Sequence, residues 1–327
     1  MNKANVRLHG SPLWLFPVLA ALLTWQCRGP IKTNAGNSAF APYVEGYTTG
    51  VISREGTLRV RLASQVNTLH ETNTEDTRNL FTLHPGVKGK TRWIDARTVE
   101  FIPEAHLDPS RTYQVTFDLE KVAEVPSDLR RFIFDFKVID PSYRIEVNGL
   151  KSQTSSSTDL LKLTGAISLA DVEDPAHIEK ILAATVNGQR LPIKWQHQAD
   201  TRISSFTIDS LQKSKEPYPI QLEWAGQPIG SKVSGHEDIE IPAFGDFKVL
   251  DIRAVQEPEQ FVLVQFSDPI LVGQQLDGLI TLTGVNGTHY TIDGSEVKVY
   301  APDRLEGDYA VVLNEGIANI RAQKTTS

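Results

Sequence analysis

The sequence predicts an all-β protein built of β-sandwich domains in tandem. Three observations predict it: apolar residues recur with period two, turn residues interrupt them about every 8–12 positions, and one block of strands occurs twice. Leu58, Val60 and Leu62 alternate with Arg59 and Arg61, and Tyr113, Val115, Phe117 and Leu119 alternate with Gln114, Thr116 and Asp118. Alternation of this kind gives a strand one face for a core and one for water. No stretch carries a helical stripe longer than about two turns; the best candidate, 175–184 (PAHIEKILAA), predicts one short helix inside a β domain. Met1 is the only methionine, which suits a core of β-branched and aromatic side chains.

The repeat is carried by VEFIPEAHL (99–107) and VKVYAPDRL (297–305). The same offset runs back through the preceding turn, setting Ile94-Asp95-Ala96-Arg97 against Ile292-Asp293-Gly294-Ser295. TYQVTFDL (112–119) then matches DYAVVLNE (308–315), LRVRL (58–62) matches VLVQF (262–266), and FTL (81–83) matches ITL (280–282). Slipping a strand by one residue would turn its core positions outward, so shared parity over four strands implies one shared fold. A related but distinct module lies between the copies: the strand LLKLTGAISL (160–169), an acidic loop with Asp171, Glu173 and Asp174, a hairpin turning at Asn187-Gly188, and the strands SSFTID (204–209) and YPIQLEW (218–224). Boundaries fall near Asp140-Pro141 and Ile241-Pro242. The predicted organisation is sandwiches over 46–140, 141–243 and 244–327.

Residues 1–27 read as an export signal: Lys3 and Arg7, an apolar run from Leu13 to Leu23, and then Thr24-Trp25-Gln26-Cys27. The run is too short to span a bilayer as a helix, which needs about 20 residues, and suits a signal peptide. Cys27 directly after it, followed by a polar stretch, resembles a bacterial lipoprotein signal in which the cysteine takes the lipid; Gln26 departs from the small residue usual there. Residues 28–45 are expected to form a flexible tether. The resulting expectation is an exported protein, periplasmic or at the cell surface, with a lipid bilayer as partner through its N-terminus.

Bulk properties narrow the function. At 327 residues the chain suits two or three domains, and 40% hydrophobic with 22% charged residues is an ordinary globular balance. A net charge of -7 without basic runs argues against a nucleic-acid partner. With Cys27 as the sole cysteine, the part after the signal has no disulfide, thiolate nucleophile or Cys-based zinc site. HPGVKGKT (84–91) ends like a phosphate-binding loop but has His84 where the motif needs glycine, and a strand follows it. Ser210-Leu-Gln-Lys213 fits S-x-x-K without its companion motifs. The histidines do not pair at helical metal-site spacing, and His236-Glu237-Asp238 reads as a solvated turn before a strand. Asp171, Glu173 and Asp174 lack the glycine and terminal Glu of a calcium loop, and Asn286-Gly-Thr288 reads as a chance glycosylation pattern. Trp195 and Trp224, each near the end of a strand, are the aromatics least explained by core packing. No catalytic, metal-binding or cofactor-binding residue is assigned, and the sequence points to binding and not to an enzyme.

The ordered series LEWAGQPIG (222–230), IEIPAFGDFKVLDI (239–252), FVLVQFSDPI (261–270), LDGLITLTG (276–284), VKVYAPDRL (297–305) and YAVVLNEGIANI (309–320) resembles the N-terminal part of the bacterial α2-macroglobulin family, especially its large lipoproteins. RWIDARTVEFIPEAHLDPSRTYQVTF (92–117) is similar to that family's opening domain. The resemblance implies Ig-like, macroglobulin-type β-sandwiches in an endopeptidase inhibitor that traps proteases when a bait segment is cut, in many members with a thioester set in C-x-E-Q. This sequence contains no thioester motif and no recognisable bait; after Cys27 come Arg28-Gly29-Pro30. The resemblance therefore assigns scaffold and anchor roles here, with proteases as partners only through a longer protein. The alternative is an Ig-like surface stalk or adhesin module binding a polysaccharide or a protein.

Overall fold

A computed structural model of the protein describes residues 32–64, 73–198 and 200–325. The signal segment and Cys27 lie outside the described residues. The fold is all-β, with 47% of residues in strands and 5% in helix. Its strands make three two-sheet units, each around its own apolar core.

The first sandwich comprises β1 (Val44–Tyr47), β2 (Gly50–Ile52), β3 (Leu58–Leu62), β4 (Phe81–His84), β5 (Gly89–Trp93), β6 (Thr98–Pro103), β7 (Thr112–Asp118) and β8 (Arg131–Val138). They form sheets of order β1-β3-β6-β5 and β2-β8-β7-β4. Alternation sets the core: Leu58, Val60 and Leu62 face Tyr113, Val115 and Phe117, and Phe132, Phe134 and Phe136 of β8 fill the space between the sheets. The tether expected over 28–45 is corrected from Asn34 onward. The Asn34 and Ala35 N–H groups donate to the Ile133 carbonyl at 2.9 and 3.1 Å, Asn34 Oδ1 accepts from Ile133 N at 2.6 Å, and Phe40 is buried edge-on to Phe132. The polar residues that suggested a spacer bond to a strand edge and, at Asn37, cap the 3₁₀ turn Ser38–Phe40.

The second sandwich contains β9 (Tyr143–Ser152), β10 (Leu160–Leu169), the helix α1 (Pro175–Ile178), β11 (Leu182–Val186), β12 (Gln189–Arg190), β13 (Lys194–Gln198), β14 (Ile203–Gln212), β15 (Tyr218–Ala225) and β16 (Ser234–Ile241). Its sheets run β13-β14-β10-β9 and β12-β11-β15-β16. The helix expected over 175–184 stops early, because Leu182 onward pairs with β15 from Trp224 backward as β11. Asn187 and Gly188, both at positive φ (49° and 77°), make the two-residue turn between Val186 and Gln189.

The third unit has β17 (Val249–Val255), β18 (Phe261–Phe266), β19 (Ile280–Leu282), β20 (His289–Asp293), β21 (Glu296–Tyr300) and β22 (Val311–Leu313), in sheets β17-β18-β21-β20 and β19-β22. The internal repeat is reproduced in register. Val60 opposite Val99 corresponds to Val264 opposite Val297, and Phe81 opposite Phe117 corresponds to Ile280 opposite Leu313. The repeat extends to β1 and β17, where a bulge falls between Val44 and Gly46 in one and between Val249 and Asp251 in the other. It is broken at the hairpin. The turn before β6 takes three residues, Asp95–Arg97, with Ile94 N donating to the Thr98 carbonyl, whereas Gly294-Ser295 is a two-residue turn with Asp293 opposite Glu296. Trp93, not Ile94, is therefore the counterpart of Ile292.

The middle module shares this plan more closely than its sequence indicates. Its β9, β10, β14 and β13 stand in the order of β1, β3, β6 and β5, and β11, β15 and β16 in the order of β4, β7 and β8.

Candidate functional site

The polar residues singled out in the sequence gather mainly where one sandwich meets the next. At the first junction the acidic loop after β10 reaches the β2–β3 turn. Asp171 Oδ1 accepts from Ser53 Oγ at 2.6 Å and Asp171 Oδ2 accepts from the Arg54 N–H at 2.7 Å. Arg54 Nη1 donates to Glu173 Oε2 at 2.8 Å, between side chains only 20% and 11% exposed. Glu173 also meets His177 Nδ1 at 3.0 Å. Asp174 accepts from Ala176 N at 2.8 Å and caps α1. The three carboxylates weighed as a calcium loop thus serve a junction and a helix cap, and no group of three or more His, Cys, Asp or Glu placed to hold a metal occurs among the described residues.

The second junction centres on a buried ion pair. Lys213, the lysine of the S-x-x-K pattern, meets Asp268 with both side chains 1% exposed, and Asn319 Nδ2 donates to the other Asp268 oxygen at 2.9 Å. Around it, Ser152 N donates to Ser295 Oγ at 3.1 Å, Arg253 Nη1 to the Asn148 carbonyl at 2.9 Å, and Arg321 Nη2 to Asp159 Oδ2 at 2.9 Å. Burial opposes ionisation of Asp159, but hydrogen bonds from Arg321 and Thr158 hold its carboxyl below the usual range. Ser210 is exposed, at φ 60°, with its N–H bonded to Gln153 Oε1, so the pattern's serine and lysine form no catalytic pair.

A hydroxyl–imidazole–carboxylate row does occur: His197 Nδ1 lies 2.9 Å from Ser204 Oγ and Nε2 lies 3.2 Å from Glu179 Oε1. Ser204 is 2% exposed and His197 stacks on Trp195, so the row fastens β13 to β14 and leaves the hydroxyl sealed from a substrate. Trp195 packs against Phe206 and the second core. Trp224 packs against the same core, and its indole lies against Gly235, where a Cβ would stand 2.8 Å from the ring. His236-Glu237-Asp238, expected in a turn, is corrected to the interior of the exposed edge strand β16. The HPGVKGKT segment runs from the end of β4 at His84 through a four-residue loop, 85–88, into β5 at Gly89.

Another feature is an apolar side of the third sandwich. Between its two sheets lies a groove of about 300 Å³ bounded by Ile252, Val262, Leu282, Val299, Tyr309 and Val311. At the other end of this side, Val249, Leu313 and Ile317 border a second hollow. Sequence reasoning missed both junctions and the groove. A lysine or aspartate carries no mark of burial in the sequence, and the residues of the groove alternate as in any half-buried strand.

No protein-family profile matches the chain, and no curated protein does. Solved structures similar to it include an L,D-transpeptidase from Mycobacterium tuberculosis H37Rv, 11% identical over 68% of this chain and 75% of that one, at a TM-score of 0.23. L,D-transpeptidase 3 from Mycobacterium tuberculosis is 12% identical over 60% and 74%, also at 0.23. Its complex with a faropenem-derived adduct is 11% identical over 69% and 78%, again at 0.23. Likenesses at that score carry no inference about activity.

Proposed function

We propose that this chain is a non-catalytic scaffold and anchor: the N-terminal part of an α2-macroglobulin-like endopeptidase inhibitor, tied to a bacterial membrane through a lipid on Cys27. The observation that carries the scaffold reading is that Asp171 and Glu173 bond Ser53 and Arg54 at one junction and Lys213 meets Asp268 at the other, joining sandwich to sandwich. The family and anchor readings rest on the ordered motifs of 222–320 and on the Leu13–Cys27 segment. Among the described residues no helix is long and apolar enough to cross a membrane. Protease capture would depend on bait and thioester segments that these 327 residues do not contain.

Two measurements test this. In a bacterial host the chain should fractionate with membranes, and Cys27→Ala should move it to the soluble fraction; unchanged fractionation would refute the anchor. The purified chain should leave digestion of a protein substrate by a test protease unaltered, whereas inhibition by this chain alone would show that the capture mechanism is misplaced.

A further inference from the structure

Three polar side chains meet at the second junction, sealed from water. Lys213 follows β14 of the second sandwich, while Asp268 and Asn319 belong to the third. The Lys213 and Asp268 side chains are each 1% exposed, and Asn319 is 0% exposed. Asp268 stands between the other two: Lys213 Nζ donates to its Oδ1, and Asn319 Nδ2 donates to its Oδ2 at 2.9 Å. The Asn319 carboxamide is held on its other sides as well. Its Oδ1 accepts from the Arg321 and Gln323 N–H groups at 3.0 and 2.9 Å, and its Nδ2 also donates to Gln323 Oε1 at 2.9 Å. The main chain is fixed around all three, with Lys213 N donating to the Asp159 carbonyl and Ile320 N to the Pro269 carbonyl.

These are the parts of an acyl transfer. Lys213 supplies an amine, Asn319 an amide carbon, and Asp268 a carboxylate that touches both the amine and the nitrogen that would leave. The Arg321 and Gln323 N–H groups already donate to the oxygen on which charge develops when that carbon is attacked. Keeping a lysine and an aspartate ionised away from water is costly, and an amide beside a neutral carboxyl group removes both charges. We propose that Lys213 and Asn319 are joined by an isopeptide bond that the folded chain forms by itself, with Asp268 moving the protons. Nζ gives one proton to Asp268, and its freed lone pair makes the new bond to Asn319 Cγ; the flexible lysine chain carries Nζ over from the adjacent carboxylate. Asp268 passes that proton to Nδ2 and takes a second one from Nζ. The Cγ–Nδ2 bond then breaks and ammonia leaves, with Asp268 left protonated. The reaction occurs once per chain and turns over no substrate. Its product makes the second junction covalent, and it is independent of the macroglobulin reading.

Mass spectrometry of a tryptic digest of the full chain, folded first and then denatured, tests this. Trypsin does not cut after an acylated lysine, so the linear peptide 203–213 should be lost. In its place should stand a branched peptide joining 203–215 to 305–321, lighter by one ammonia than the two separate peptides. Lys213→Arg and Asp268→Asn should each abolish the branch, with circular dichroism showing that the variants keep their β structure. The wild-type digest decides without either variant: 203–213 with no branch, from folded chain, would overturn the proposal. Two other results would overturn it as well. One is a branch joining Lys213 to 254–298 and lighter by one water, which would make Asp268 the acyl donor. The other is undiminished branching in Asp268→Asn, which would leave the carboxylate no part in moving protons.

Discussion

Tyr113 and Tyr309 hold equivalent places on the first and third sandwiches, each next to a strand position paired in the same register, yet one is 3% exposed and the other 42%. The difference lies in neither residue. It lies in β8, which brings Phe132, Phe134 and Phe136 over the first core, whereas among the described strands β22 pairs only with β19. The outer faces diverge as well. Glu100 on β6 is 1% exposed under Arg59, Arg92 and Thr57, while Lys298, its equivalent on β21, lies over the Phe261 ring at 5.1 Å. One plan thus carries an ion-pair cluster on its outer face in one copy and a cation over an aromatic ring in the other.

The largest contrast should come from the paired tyrosines. Tyr113→Ala should cost about 3–5 kcal/mol, as for other large buried aromatics, while Tyr309→Ala should cost under about 1 kcal/mol, as for an exposed position. Denaturant unfolding of the two variants checks this, and equal losses would break the comparison. A second large effect should sharpen it, because the third sandwich borrows support from its neighbour. Lys213→Met strands Asp268 in the second junction and should cost about 3–5 kcal/mol, whereas adding Asp268→Leu should recover part of the loss.

Acid should separate the two sandwiches further. Burial works against the Glu100 carboxylate, but hydrogen bonds from Thr57, Arg92 and Arg59 hold its pKa below the ordinary 4.5. Asp76, likewise buried and bonded by Arg78 and Trp93, is held well below the carboxylate range. Groups depressed in this way stabilise the fold fully above their unfolded pKa and lose that contribution as pH falls through the folded value. The first sandwich should therefore lose stability below about pH 4. Domain-resolved amide exchange at pH 5 and pH 3 reads the difference, and equal acid sensitivity of the two would contradict it. The smallest effect belongs to the first junction: Asp171→Ala removes the acceptor of Ser53 Oγ and the Arg54 N–H and should cost about 1–2 kcal/mol, read as faster proteolysis near Pro141.

Much of this architecture was legible in the sequence, because a period of two and a repeated block are both local signals. The repeat failed where local signals fail. At the hairpin a turn shorter by one residue displaced Ile292 onto Trp93, and β17 shares the bulge of β1 without sharing its residues. Residues 34–45 read as a tether because their polar groups gave no sign of the β8 edge they bond. The junctions were illegible for a related reason: Asp171 and Ser53 stand far apart in sequence, and nothing in either marks the other.

The central claim is that the first and third sandwiches are one structural unit, repeated in register. Amide exchange of the free chain at neutral pH tests it most directly. The account predicts protection of β18 and β21 where they pair, and of β19 and β22 where they pair, at the positions equivalent to those protected in β3, β6, β4 and β7; free exchange at the paired positions of β19 and β22 beside protected β4 and β7 would contradict it.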